Sequence, residues 1–277
     1  MHAGWNVLAK RASADAPPAV FLWLISCTGA LALGPATLVF VLVAHLELRP
    51  LDALFLIGTA FWHTAYFFAL QAGYRRGDLS VVYPLARGTG PMVASLVAIL
   101  FLGEHPGVLG GVGIVLVVAG LATLAIGDRS ASNARGPLGA GVAFGLLTGL
   151  TIGGYTLFDA YAVHNLLVPP ILEAWSSEAG RAILLAPFAL RRPGGVGEVW
   201  RQRRREVLGT GIFSPLAYLL VLVALSIAPI VEVAPVRELS VVLGVLAGRR
   251  LLGEGHARLR LLAALLVIMG VVAIALA

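Results

Sequence analysis

Residues 19–44 read AVFLWLISCTGALALGPATLVFVLVA, a run without one charged side chain. A bilayer core about 30 Å thick is crossed by about 20 apolar residues in helical form, and this run is longer than that. Eight further stretches of the same kind follow at 51–73, 79–102, 107–127, 137–158, 167–190, 207–225, 231–248 and 259–277, separated by charged or Pro/Gly-containing breaks. Residues 1–10 read as the last turns of another helix whose beginning is absent. The expected fold is therefore an all-α integral membrane bundle of about ten transmembrane helices, the first truncated, with no sizeable soluble domain.

Composition agrees. The chain of 277 residues is 59% hydrophobic and 12% charged, with mean hydropathy +0.92. A soluble domain carries charge on about a quarter of its residues, so half that fraction leaves most of the surface facing hydrocarbon. The net charge of +6 does not point to nucleic acid, because the basic residues sit in short inter-helix loops, where topology accounts for them. Cys27, the only cysteine, lies in an apolar run and reads as a small packed hydrophobe, with no disulfide or metal-ligand set. The start, Met1-His2-Ala3-Gly4-Trp5, lacks the basic segment and apolar core of a signal peptide.

The landmarks recur in order. Gly4-Trp5 matches Gly154-Tyr155, Arg87 matches Arg237, Leu102-Gly103-Glu104 matches Leu252-Gly253-Glu254, and Gly120 matches Gly270. Two five-helix repeats follow, residues 1–127 and 137–277. Numbering the partial helix as the first, odd loops hold Lys10 and Arg11, Arg75 and Arg76, Arg129 and Arg135, the basic run from Arg191 to Arg205, and Arg249 to Arg260, whereas even loops hold Arg49. The positive-inside rule puts odd loops in the cytoplasm and the C-terminus outside. Five helices is an odd number, so the second repeat enters the membrane inverted.

Charges inside such a bundle are costly, about 2.5–3.5 kcal/mol at a helix centre on insertion scales, and usually face the interior or an aqueous path. Arg87 lies in Tyr83-Pro84-Leu85-Ala86-Arg87-Gly88-Thr89-Gly90-Pro91, and its counterpart Arg237 in Ala234-Pro235-Val236-Arg237-Glu238-Leu239-Ser240. Pro/Gly-interrupted segments at matching places in inverted halves are the sequence pointer to a transporter's binding site. Arg87 and Arg237, with Tyr83 and Glu238, are thus candidate contacts for an anionic or polar substrate. The alternative pairs each arginine with a glutamate of a neighbouring helix, as an ion pair that only fixes packing. On the helix 167–190, Glu178 and Arg181 stand three apart and can neutralise each other. Glu173 lacks such a neighbour and is the candidate for proton coupling. Trp62 and Tyr66, four apart, either line a cavity or pack as aromatics. His63 beside them is a second proton-coupling candidate, with an interhelical hydrogen bond as the alternative. Gly141, Gly145, Gly149 and Gly153 make a small-residue stripe, as do Gly244 and Gly248, and both read as close helix packing.

With these residues assembled, the chain resembles the EamA-like branch of the drug/metabolite transporter superfamily. The resemblance rests on His2, Trp5, Asn6 and Lys10, then on Arg76-Gly77-Asp78-Leu79-Ser80 leading into Tyr83–Gly88. Leu102-Gly103-Glu104 follows, with Pro235–Val241 and Leu252-Gly253-Glu254 in the second half. It implies ten helices in two inverted repeats, a central cavity, and movement of small metabolites across an inner membrane without naming a cargo. Partners are then a small-molecule substrate and membrane lipid, with no nucleic acid, no cofactor, and a homo-oligomer left open. An enzyme finds no support, since His-Glu-x-x-His, Gly-x-Ser-x-Gly and phosphate-loop motifs are all missing. A non-transporting membrane scaffold is the competing reading. The segment from Arg191 to Arg205, with Trp200 in it, reads as a basic loop, either solvated or resting on anionic lipid.

Overall fold

The computed structural model describes residues 1–46, 48–101, 107–132, 139–191, 195–227, 230–254 and 257–277. Within them it leaves aside the side chains of 94–96, 98–101, 125, 127–132, 230–239 and 257. The described residues hold ten helices and no strand: α1 (His2–Ala12), α2 (Pro18–Ala44), α3 (Pro50–Arg76), α4 (Leu79–Phe101), α5 (Gly107–Ser132), α6 (Ala140–His164), α7 (Pro170–Leu190), α8 (Gly195–Ile227), α9 (Ile230–Leu252) and α10 (Ala257–Ala275). Six of them, α2, α3, α5, α6, α8 and α10, are long and apolar enough to cross a membrane.

Local chemistry sets the boundaries. Proline opens both α2 and α7, where its fixed φ suits the first turn and its missing N–H costs no bond. Gly253 follows the end of α9 at φ +70°, a conformation that glycine adopts without strain. Large apolar side chains stay outside all along the bundle, among them Leu31, Leu42, Val43, Ile57, Val108, Ile183 and Met269. Exposure of that kind on so many helices is what lipid contact requires.

The chain forms two compact units, Met1–Phe68 with Tyr155–Ala228, and Ala69–Gly154 with Pro229–Ala277, and the division falls inside α3 and α6. In the first unit α2 packs on α7 and α8, and α8 also packs on α1. Leu56, Ala162, Val168 and Leu172 form an apolar cluster there. In the second unit α10 packs on α5, α9 and α4, around Val81, Leu85, Val117, Leu121, Val142, Val267 and Val271.

The glycine stripe of α6 does what its spacing predicts. A methyl on Gly141 would lie 2.7 Å from Gly77 Cα, and one on Gly149 would lie 2.8 Å from the Ala86 carbonyl, so α6 meets α4 and the end of α3 at backbone contact. Glu254 accepts the N–H groups of Leu79 (2.7 Å) and Ser80 (2.9 Å), satisfying two orphan donors at the start of α4. Arg260, expected among the loop cations, is buried near the start of α10, bonding Ser80 Oγ and Asp78 Oδ2 at 2.6 Å each. It ties α10 to the start of α4 there, where a loop charge would be solvated.

The basic segment after Arg191 also differs from expectation. Residues from Gly195 are helical, with a kink at Arg203 (φ −126°, ψ 22°), so a helix turn stands where a loop was expected. Val199 is buried while Trp200 is exposed, so one face of this turn is held by the protein. Arg203 Nε donates to Asp15 Oδ1 at 3.0 Å, tying α8 to the α1–α2 connection. The guanidinium holds the Asp15 carboxyl below its ordinary value of 3.8. A depressed carboxyl contributes stability above its unfolded value and loses it as pH falls through the folded one. Asp15→Asn is therefore expected to lower stability at neutral pH, by under about 1 kcal/mol because the pair is half-exposed. The difference from the parent should shrink as pH falls below the ordinary carboxylate range and through the depressed Asp15 value, which thermal unfolding at neutral and acid pH checks.

Candidate functional site

Within the first unit, four helices bring their polar residues to one place. On α3, Thr59, His63 and Tyr66 follow at helical spacing and are all buried. On α6, Tyr155 and Asp159 stand one turn apart, both buried. On α7, Glu173, Ser177 and Arg181 form one stripe, with Glu178 beside it. From α8 comes Tyr218.

Asp159 is the hub. Its Oδ2 takes His63 Nε2 at 3.1 Å and the Tyr218 hydroxyl, which donates to the same oxygen. His63 lies 4.4 Å from the Tyr155 ring and 4.6 Å from the Tyr218 ring, centroid to centroid. Tyr66 closes the aromatic wall edge-on to Tyr155 at 5.5 Å. Asp159 Oδ1 is buried and accepts no hydrogen bond among the described residues.

Glu173, in the first turn of α7, is fully buried. Neither of its oxygens makes a hydrogen bond of normal geometry, although Asp159 and Thr59 lie near enough to interact with it. Buried carboxylates are almost always bonded or paired, so this one stands out. Just over two turns further on, Arg181 binds Glu178 and donates from Nε to Ser26 Oγ at 2.6 Å. The Arg181 guanidinium also lies 4.1 Å over the Phe67 ring. The neighbourly pairing expected from the i,i+3 spacing is thus present, and it fills the space that Gly29 leaves open.

In the second unit, Arg87 is buried on α4, 5.6 Å above the Tyr83 ring. The Tyr83 hydroxyl and Ser240 Oγ are 2.7 Å apart, and the ring packs against Gly244, where an added methyl would meet it. Arg237 and Glu238 lie outside the described side chains. Trp62 is 36% exposed and takes no part in the ring cluster that holds Tyr66. The 40° offset between positions four apart is enough to put one at the rim and the other inside.

The family model of the EamA-like transporter family matches residues 1–126 and 139–276, nearly the whole chain. The chain belongs to the EamA-like transporter family. No curated protein matches it. Among solved structures, one whose title says only "Crystal structure of protein" is similar, with TM-score 0.66 and 16% identity over 97% of this chain and 91% of that one. That likeness concerns the fold alone. An EamA-like protein with several apolar helices is an integral, multi-pass membrane protein of a transporter family.

Thr59, Tyr155, Asp159, Ser177 and Tyr218 of the EamA-like chain's polar cluster are not among the candidates that sequence reasoning offers. Asp159 falls just beyond the apolar run, which ends at residue 158, whereas α6 continues to His164. The spacing of Tyr155 and Asp159, one turn apart on a continuing helix, was the available signal. Tyr218 is a phenol within the apolar run 207–225, and nothing in its neighbourhood marks it out.

Proposed function

We propose that this protein is a secondary transporter that moves a small metabolite or drug-like molecule across the cytoplasmic membrane by alternating access. In this reading all ten helices lie in the membrane as two inverted repeats, 1–127 and 137–277, with odd loops cytoplasmic and the C-terminus outside. The observation that carries the reading is Glu173, a carboxyl group fully buried among apolar helices that makes no hydrogen bond of normal geometry among the described residues. Ionisable groups kept inside a membrane bundle at such cost mark substrate or ion pathways. Glu173, with His63, is the proton-coupling group, and Arg87 with Tyr83 and the matching Arg237 recognises a polar or anionic cargo.

Thermal unfolding of the purified protein against organic acids, amino acids, nucleosides and organic cations tests this. A ligand of the native state at a hundred times its Kd adds about 2.7 kcal/mol. Arg87→Ala is expected to abolish that shift for an anionic ligand while the protein stays inserted and folded. Loss of the variant from the membrane would make Arg87 structural. No shift with any ligand, and no uptake by vesicles, would favour a scaffold instead.

A further inference from the structure

Resting on that transport reading, and deepening it, the buried cluster of the first unit carries a more specific assignment. We propose that Asp159 and Glu173 form a carboxylate pair that shares one exchangeable proton, with His63 and Tyr218 positioning Asp159 through its other oxygen.

The argument is one of bonds and charges. His63 and Tyr218 both use Asp159 Oδ2. Asp159 Oδ1 is left bare, as are both oxygens of Glu173, which lies within interaction distance. Bare acceptors side by side in a buried place lack only a hydrogen between them, and a protonated carboxyl supplies that donor. The groups around the pair are Thr59 beside Glu173, and His63 and Tyr218 on Asp159, with the Tyr66 and Tyr155 rings closing the wall about His63. Glu178 and Arg181 follow further along α7. Arg181 is committed to Glu178. It therefore does not answer Asp159 or Glu173, and a shared proton removes one of the two charges that their burial would otherwise cost.

Glu173 is the exchangeable side of the pair. Apart from the shared proton it makes no hydrogen bond of normal geometry among the described residues, so it can lose that proton or hand it on while His63 and Tyr218 keep their hold on Asp159 Oδ2. A metal cation is a poorer occupant, because no group of three or more His, Cys, Asp or Glu side chains with ligand geometry exists among the described residues.

Infrared spectroscopy of the purified protein tests the assignment directly, without needing a cargo. The parent protein should show the carbonyl stretch of a protonated carboxyl group at neutral pH, displaced in heavy water and lost on alkaline titration. Glu173→Gln, whose amide can donate to Asp159 in place of the shared proton, should fold and lose that band, and Asp159→Asn should displace it, because the proton is then no longer shared. The proposal is overturned if the parent shows no such band at any pH, or if the band survives in folded Glu173→Gln. Displacement of the band by sodium at constant pH would also overturn it, assigning the pair to a metal cation. Vesicle uptake is a separate readout: a titrating pair in a protein that moves no solute would end the transport reading and leave this one standing.

Discussion

Gly270→Leu is expected to destroy the folded second unit, with a loss exceeding about 3 kcal/mol, the upper end of ordinary overpacking. Gly270 on α10 and Gly113 on α5 face each other at backbone contact. A methyl on Gly270 would lie 2.6 Å from the Gly113 carbonyl oxygen and 2.7 Å from Val117 N. A methyl on Gly113 would lie 2.7 Å from the Gly270 oxygen and 2.8 Å from Ile274 N. The obstacles are backbone atoms of two long helices, which cannot move aside as the end of a side chain can. Leucine therefore has to push α10 off α5, opening the cluster of Val117, Leu121, Val267 and Val271. Gly111, on the same α5, has nothing within 4 Å of the corresponding position among the described residues. Gly111→Ala should be neutral or stabilising by up to about 1 kcal/mol, since alanine orders a helix at less entropic cost. Thermal midpoints of both variants in one detergent separate close packing from a general intolerance of α5 and α10 to substitution. Equal midpoints would show that the two helices are free to part.

Arg181→Met carries the second large effect, an expected loss of about 3–5 kcal/mol, the cost of leaving a buried partner charge unanswered. Arg181 is 1% exposed, bound to Glu178, bonded to Ser26 and laid over Phe67. Methionine keeps most of the volume but leaves the Glu178 carboxylate without its cation. The double variant Arg181→Met, Glu178→Gln removes both charges and should recover more than half of that loss. The recovery is the coupling energy of a double-mutant cycle. If the single variant costs less than about 1 kcal/mol, the value for a solvated pair, water reaches the pair and its part in the charge balance of the Asp159–Glu173 cluster fails with it.

These two cases show different degrees of legibility. The Glu178–Arg181 pair was readable because both partners lie on one helix, where a spacing of three fixes their proximity. The α6 stripe was readable for the same reason, since four glycines at one period can only be a flat helix face. Asp159 was not, because a boundary set by hydropathy falls where the apolar run weakens. A buried acid next to that edge looks like the start of a loop. Arg260 was misread in the same way: an arginine two residues from another arginine resembles a loop charge until Asp78 and Ser80 are seen to bind it. Trp62 and Tyr66 share a helix face in projection, yet only Tyr66 meets Tyr155. The helix from Gly195 was hidden because its basic residues, read along the chain, carry no apolar run to announce it.

The sequence by itself determined that this chain lives in a membrane as helices, since the length and apolarity of each segment are local quantities and a bilayer answers only to those. It also determined the family, because the ordered motifs around Asp78, Arg87, Pro235 and Glu254 are written in the chain. Only the tertiary structure decided which polar residues meet. His63, Asp159, Glu173 and Tyr218 come from four helices, and their grouping depends on the rotation and depth of each helix against its neighbours. Those are set by the sum of many small packing contacts, and no single stretch of sequence contains them.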